Sequence, residues 1–390
     1  MPALPPARRA ALRRRLLAWY DAGHRDLPWR VPQRGADPYR VWLAEVMLQQ
    51  TQVQAVIPYY ERFLRRYPTL GALAAAREED VLALWAGLGY YARGRNLLAA
   101  ARAAQARHGG LPASLDALRA LPGFGPYTAG AVASIAFGIA APVVDGNVAR
   151  VLARLFLVEG EPAAGTVRSR LWALAGELVD PARPGDLNQA LMELGATVCV
   201  KPAPRCGRCP VAARCAARAA GRERAIPPAR GRPARRPLEL ACALVERAGA
   251  VLVVPRPAAG LFGGLLGPPS VELAGEDDPA TALARTAREA HGLALAVGEE
   301  VARVERTLTH RALTLRGYRC TLRAGPPAAA RWVARGEEGV ALPTAFSALL
   351  ATLFSTSRRV RCKNPHSRPG RLADKLARQR SSLTRGSSSV

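Results

Sequence analysis

Four cysteines, Cys199, Cys206, Cys209 and Cys215, fall within the single basic segment VCVKPAPRCGRCPVAARC, spaced C-x6-C-x2-C-x5-C. The other three, Cys242, Cys320 and Cys362, are scattered and carry no motif. Thiols gathered this tightly point to a metal site, and a disulfide framework is a poor fit to a chain without a secretory signal. Pro202, Pro204 and Pro210 keep the segment in turns instead of a helix. Four thiolates suit a tetrahedral zinc or an iron-sulfur cluster. Zinc ribbons usually pair two C-x2-C knuckles across a longer gap, so one C-x2-C flanked by two lone cysteines leans toward the cluster. Lys201, Arg205, Arg208 and Arg214 lie between or beside these ligands, which makes the loop a small basic knob suited to phosphate.

The charge of the whole chain points the same way. Its 390 residues hold 56 Lys plus Arg against 30 acidic residues, a formal net charge of +26, so nucleic acid is the first partner to consider. A GC-rich coding bias accounts for the abundant Ala and for part of the Arg. The scattered cysteines read as reduced thiols of a cytosolic protein, here a bacterial, nucleoid-associated one. Residues 1–20 are Arg-rich and acid-poor like a transit peptide, yet LRRRLLAWY runs straight on toward His24–Arg30 and leaves little room for cleavage. The longest apolar stretch, Ala129–Val144, contains Gly130, Gly138 and Pro142, is too short for a membrane span, and is expected as a buried helix.

The length suggests two or three domains. Residues 1–216 read as short helices punctuated by Gly and Pro. Within 147–158, Val148, Val151, Leu152, Leu155 and Phe156 form an apolar stripe with Arg150 and Arg154 opposite. Ser114 is expected as an N-cap, and Gly109 and Gly110 as the end of the preceding helix. Residues 217–237 are Arg- and Pro-rich without apolar periodicity, as in an exposed linker. Across 238–355 the period changes to that of strands, with helices at 279–291 and 344–354, giving an α+β domain. From 356 to 390 the chain is expected to be a disordered basic tail, a candidate for nonspecific DNA contact.

Three places carry candidate chemistry. In LPGFGPYTAG, Gly123 and Gly125 form a tight turn before a helix, where backbone amides can approach a phosphate. In VVDGNVAR, Asp145 precedes a helix; Asp-Gly-Asn is a common turn and Asp a favoured N-cap, and amides at a helix start also stabilise the ionised carboxylate that a nearby cation would need. In VWLAEVMLQQTQV, Glu45 is surrounded by apolar residues. It sits either at a helix edge, which the sequence alone favours, or in a pocket that would raise its pKa and suit it to a general-acid role.

In order along the chain, LPWR, VWLAEVMLQQTQV, GLGYYARGRNL, LPGFGPYTAG, VVDGNVAR and the cysteine loop resemble the A/G-specific adenine DNA glycosylases of the helix-hairpin-helix superfamily, over roughly residues 7–355. The resemblance implies a two-lobed, mainly α catalytic domain with a [4Fe-4S] cluster. Its substrate would be double-stranded DNA in which adenine is mispaired with 8-oxoguanine or guanine, acted on by a monomer with no membrane role. The base must be flipped out because its glycosidic bond is hidden inside the duplex. By similarity, Glu45 protonates adenine N7 and later helps activate water, and Asp145 stabilises the oxocarbenium-like sugar. Bifunctional relatives carry a lysine where this chain has Tyr127, and a phenol cannot form an imine. Tyr127 and Asn147 match positions that orient Asp145 and the water. Arg30 and Gln189 match the adenine pocket, and Gln50 and Tyr90 match residues that enter the DNA stack.

The second domain resembles the Nudix-like domain of the same family. Of its hydrolase box Arg285, Glu289 and Gly292 remain, while Thr286 and Ala290 replace two carboxylates, so binding of 8-oxoguanine without hydrolysis is expected. Leu308, Thr309 and His310 stand where the family usually has Phe-Ser-His; Thr309 and His310 are the candidate contacts to the oxidised base. Two alternatives remain. An endonuclease III-like glycosylase/lyase is disfavoured by Tyr127 and the second domain, and a catalytically silent DNA-damage binder by Glu45 and Asp145.

Overall fold

The computed structural model describes residues 4–30, 36–228, 234–257, 260–275, 277–308, 310–325 and 329–361. Twelve helices come first among them: α1 Pro6–Gly23, α2 Pro38–Leu48, α3 Val53–Arg66, α4 Leu70–Ala74, α5 Glu78–Trp85, α6 Ala92–His108, α7 Leu115–Arg119, α8 Pro126–Phe137, α9 Gly146–Leu155, α10 Gly165–Leu178, α11 Pro184–Thr197 and α12 Ala216–Ala219. They form two lobes. Helices α2 to α8 surround Trp42, Phe63 and Trp85, and α1 with α9 to α12 encloses Leu12, Leu16, Leu152, Leu171 and Leu187. Helix α8 belongs to both, because Ala129, Val132 and Ala133 share one face and Ala131, with Tyr127 and Ile135, the other. The Arg-rich start of the chain is part of this core: Leu12 and Leu16 are fully buried, and the Arg13 guanidinium donates to the last carbonyls of α10, Glu177, Leu178 and Val179. Among the described residues no helix is long and apolar enough to cross a membrane.

Ser114 and Gly109 cap as expected: Ser114 accepts from Ala117 N, and Gly109 ends α6 at φ 66°. Other expectations need correction. The apolar run 129–144 is not one helix. Helix α8 stops at Phe137 with Gly138 left-handed, and residues 139–145 return across it so closely that a Cβ on Gly130 would lie 2.3 Å from the Pro142 carbonyl oxygen. Helix α9 ends at Leu155, before Leu157 turns to φ 52°. Arg154 is not on a solvent face but 2% exposed, donating to the carbonyls of Ile226 (2.7 Å), Cys199 (3.0 Å) and Val200 (3.0 Å). Nor is the segment after 216 exposed throughout, since α12 forms there and Ile226 and Pro227 are buried against the second lobe.

The second domain contains β1 Arg236–Arg247, β2 Ala250–Pro255, β3 Leu266–Gly267, β4 Ser270–Glu272, α13 Pro279–His291, β5 Leu295–Thr307, β6 Arg311–Leu322, β7 Arg331–Ala334 and α14 Thr344–Arg361. Its mixed sheet runs β3-β2-β1-β6-β5, with β4 on β1 and β7 on β2. Among the described residues only β1 and β6 pair in parallel, Arg236 opposite Arg311. Strand alternation sends Leu240, Cys242 and Leu244 toward α14 and Ala241, Ala243 and Val245 toward α13, so the sheet is covered on both faces. Helix α14 continues to Arg361, through the first residues expected as tail; the remaining tail, 362–390, lies outside the described residues. The domains meet where Leu265 and Ala341 join the core of the first lobe and Arg95 Nη1 donates to the Gly263 carbonyl at 2.5 Å.

Candidate active site

A cleft of about 870 Å³ opens between the two helical lobes, at the start of α8. Glu45 is at its base. Helix α2 buries every residue from Val41 to Met47, so its glutamate has no solvent side to turn to and is only 6% exposed; the helix-edge expectation is overturned. Tyr127, in the first turn of α8, donates its hydroxyl to Glu45 Oε2 at 2.5 Å and lies 3.3 Å from Met192 Sδ. Burial pushes the Glu45 pKa up to about 7; the Tyr127 bond and Arg30 pull it down, and the charge of Asp145 pushes it further up. The Tyr127 phenol is driven well above its usual range, first by burial and then by the two carboxylates.

Asp145 is the N-cap of α9. Its Oδ1 accepts from the amides of Asn147 (3.0 Å) and Val148 (2.7 Å), and its Oδ2 from Asn147 Nδ2 (2.9 Å). These bonds and Arg150 favour the ionised form as the sequence suggested, but burial outweighs them and the net direction is upward. Asn147 is itself held: its Oδ1 accepts from Arg150 Nη2 at 2.8 Å, and Arg150 also donates to the carbonyls of Gly195 and Cys199, both at 2.7 Å. A Cβ on Gly195 of α11 would sit 2.6 Å from Asn147 Cβ, so only glycine allows this approach.

Arg30 and Gln189 line the cleft, as do Gln50, Gly123 and Gly125. Gly123 takes φ 74°, and a Cβ there would lie 2.8 Å from Asn96 Cβ; Gly125 caps α8 ahead of Pro126. Tyr90 is 43% exposed on a separate loop and does not line the cleft. His310 is exposed in the β5–β6 turn and does not line the cleft, and Thr309 lies outside the described residues. On α13 Arg285 and Glu289 are exposed, and Gly292 ends the helix at φ 64°.

The sequence reading missed Glu193, Arg25, Arg168 and Trp172. Glu193, 2% exposed on α11, accepts from Arg25 (Nε 2.7 Å, Nη2 2.9 Å) and from Arg30 Nη2 (2.8 Å). Burial pushes its pKa upward, but the two guanidinium groups prevail and the net direction is down. Its signal was available: a glutamate among Leu191, Met192 and Leu194, the same pattern that singled out Glu45. Arg168 and Trp172, one turn apart on α10, face the cleft, and the Arg168 side chain has no hydrogen-bond or ion-pair partner among the described residues.

The four clustered cysteines are half-buried free thiols, and Cys199, Cys209 and Cys215 pack on the core of the second lobe. Burial raises Cys206 and Cys215 and lifts Cys209 to about 11, and Arg154 Nη1 is 3.3 Å from Cys199 Sγ. Among the described residues no three His, Cys, Asp or Glu side chains converge on a single-ion position.

Residues 43–177 match the HhH-GPD superfamily of base excision DNA repair proteins, and residues 240–352 the NUDIX domain. The rat adenine DNA glycosylase is 39% identical over 412 residues, covering 90% of this chain and 80% of that protein. The chain belongs to the adenine DNA glycosylases. The human member is 54% identical over 217 residues, 53% of this chain and 39% of its own length, so that match spans less than half of the human protein. Among solved structures a thermostable thymine-DNA glycosylase aligns at 29% identity with a TM-score of 0.49, covering 54% of this chain and 97% of that one.

Proposed function

We propose that this family member is a monofunctional base excision repair glycosylase that flips out and hydrolyses adenine paired with 8-oxoguanine or guanine in duplex DNA, acting as a monomer at the bacterial nucleoid. The observation that carries the reading is a buried glutamic acid, held by the Tyr127 hydroxyl, in the same cleft as an amide-capped aspartate. Near neutral pH Glu45 retains a proton to give to adenine N7. As the C1′–N9 bond breaks, its electron pair goes to the protonated purine, and positive charge develops on the sugar. Asp145, fixed by three N–H donors, faces that charge without reorganising. Water then adds to C1′ and its proton returns to Glu45, as with paired carboxylates around any anomeric carbon. Tyr127 holds the Glu45 oxygen in place and supplies no amine, so the reaction stops at the abasic site.

Around this chemistry Arg30 and Gln189 border the adenine, Gly123 and Gly125 present amides to a phosphate, and Gln50 and Tyr90 enter the stack. Thr309 and His310 of the second domain contact 8-oxoguanine. Cys199, Cys206, Cys209 and Cys215 would hold a [4Fe-4S] cluster. Four half-buried thiols, free of disulfides and with a guanidinium beside one sulfur, are a donor set that fits it. When bound, the cluster supplies a structural cross-link that stiffens the basic loop.

The test is single-turnover incubation with a labelled duplex carrying adenine opposite 8-oxoguanine, developed with and without alkali. Strand breakage only after alkali is expected. Breakage without alkali would replace this reading with the glycosylase/lyase, and no breakage in either lane would replace it with the silent binder.

A further inference from the structure

Gln50 follows α2 and Tyr90 precedes α6, on loops far apart in sequence, and each holds a left-handed backbone, φ 59° and 47°. Residues with a Cβ stay there only when their surroundings over-determine the conformation. One side chain touches both loops. Arg93, in the first turn of α6, donates through Nη1 to the carbonyls of Val46 (2.9 Å), Met47 (3.0 Å) and Gln49 (2.5 Å), the open C-terminal end of α2. Through Nη2 it reaches Thr51 Oγ1 (3.3 Å) on the far side of Gln50, and the carbonyls of Leu88 (3.0 Å) and Gly89 (3.2 Å) just before Tyr90. Its guanidinium carbon lies 5.6 Å from the Tyr90 ring centroid and 5.5 Å from that of Trp85.

Among the described residues Arg93 donates to carbonyls and a hydroxyl rather than a carboxylate, so its charge faces the negative end of the α2 dipole. Burial lowers its pKa only to about 10, and it stays charged at neutral pH. A planar fork can satisfy two loops at once, whereas a lysine ammonium has three donors at a single point.

We infer that Arg93 is a positioning residue whose one guanidinium fixes the separation of the Gln50 and Tyr90 loops, so that both side chains enter the duplex in register when the adenine is extruded. The inference rests on the reading that Gln50 and Tyr90 enter the stack. It assigns Arg93 to extrusion and not to bond cleavage.

A double-mutant cycle on the full chain tests it, crossing Arg93→Lys with the paired substitution Gln50→Ala, Tyr90→Ala. The readouts are thermal denaturation, the fluorescence rise of 2-aminopurine placed at the target position opposite 8-oxoguanine, and the single-turnover rate on the adenine duplex. Arg93→Lys is expected to lower the 2-aminopurine response and the excision rate about tenfold in the parent, and no more than about twofold in the paired-alanine background. An equal loss in both backgrounds would show that Arg93 acts independently of the loops and would overturn the inference. A paired-alanine protein that extrudes and excises like the parent would remove the underlying reading, and the inference with it. Should Arg93→Lys fail to fold, Thr51→Val deletes one acceptor and leaves the guanidinium in place; a loss of about threefold is expected, and no loss would count against the inference.

Discussion

Glu45→Gln should abolish a pH-dependent loss of stability, by an amount that follows from the burial of Glu45. The Glu45 pKa is about 7 in the folded chain against an ordinary value of 4.5, and burial is the largest cause. Between those values the folded state keeps a proton that the unfolded state has released. The folded state binds more protons, so stability is highest below pH 4.5 and falls as pH rises through 7. A displacement of about 2.5 units corresponds to about 3 kcal/mol, complete by about pH 8. Glutamine keeps an acceptor for the Tyr127 hydroxyl and has nothing to ionise, so the variant lacks this pH-dependent loss. The assay is urea unfolding of both proteins at pH 5.0 and 8.5, comparing each protein with itself so that pH-independent effects of the substitution cancel. The parent should lose about 2.5 kcal/mol more than the variant between the two conditions, because at pH 5.0 part of the full difference is already gone. Equal losses would mean that Glu45 is already ionised in the fold, and the general-acid assignment would lose its physical basis.

Tyr127→Phe removes a bond that lowers the Glu45 pKa, so the alkaline limb of the single-turnover pH profile should move up by about one unit even if the maximum rate falls; an unmoved or lowered limb would contradict the assignment. Gly195→Ala drives a Cβ to 2.6 Å from Asn147 Cβ and displaces the donors of Asp145; excision should drop about a hundredfold with duplex affinity little changed, as gel shift and single turnover will show. Cys209→Ser should cut bound iron and weaken duplex binding, measured by iron analysis and titration, if the proposed cluster cross-links the basic loop. Arg168→Gln should reduce the slope of log affinity against log salt by about one on matched and mispaired duplexes alike, if that unpartnered cleft arginine meets a phosphate.

Local signals in this sequence report what neighbours along the chain decide. The N-caps at Ser114 and Asp145, the left-handed stop at Gly109 and the strand alternation of β1 all depend on residues within a few positions, and all were legible. Arg154 was misplaced because its partners, Ile226 and the Cys199–Val200 backbone, arrive from far along the chain and turn a polar edge into a buried socket. Glu45 was misplaced for a different reason. Periodicity finds the inward face of a helix only when some other face is polar, and α2 is buried almost all round, so the pattern holds no phase information at that residue. Glu193 carried the same ambiguity and was resolved by two arginines contributed by the segment after α1.

Three carboxylates, Glu45 and Asp145 lining the cleft and Glu193 behind its Arg25 and Arg30, show how surroundings shift the proton affinity of one kind of group in different ways. Glu45 and Glu193 are buried and Asp145 half-buried, and the loss of solvent favours the neutral acid in each. What differs is the number and charge of the donors that oppose it. Glu193 has two guanidinium groups, and its pKa falls. Asp145 has three N–H donors and a nearby Arg150, which hold back part of the upward shift. Glu45 has one bonded phenol and the charge of Arg30, together too weak an opponent, and it reaches about 7. In the proposed chemistry the proton donor is the carboxyl with the poorest hydrogen bonding, and the cation stabiliser the one tied to a helix start. Exchanging those roles would require moving the α9 N-terminus from one carboxyl to the other, which no single substitution can do.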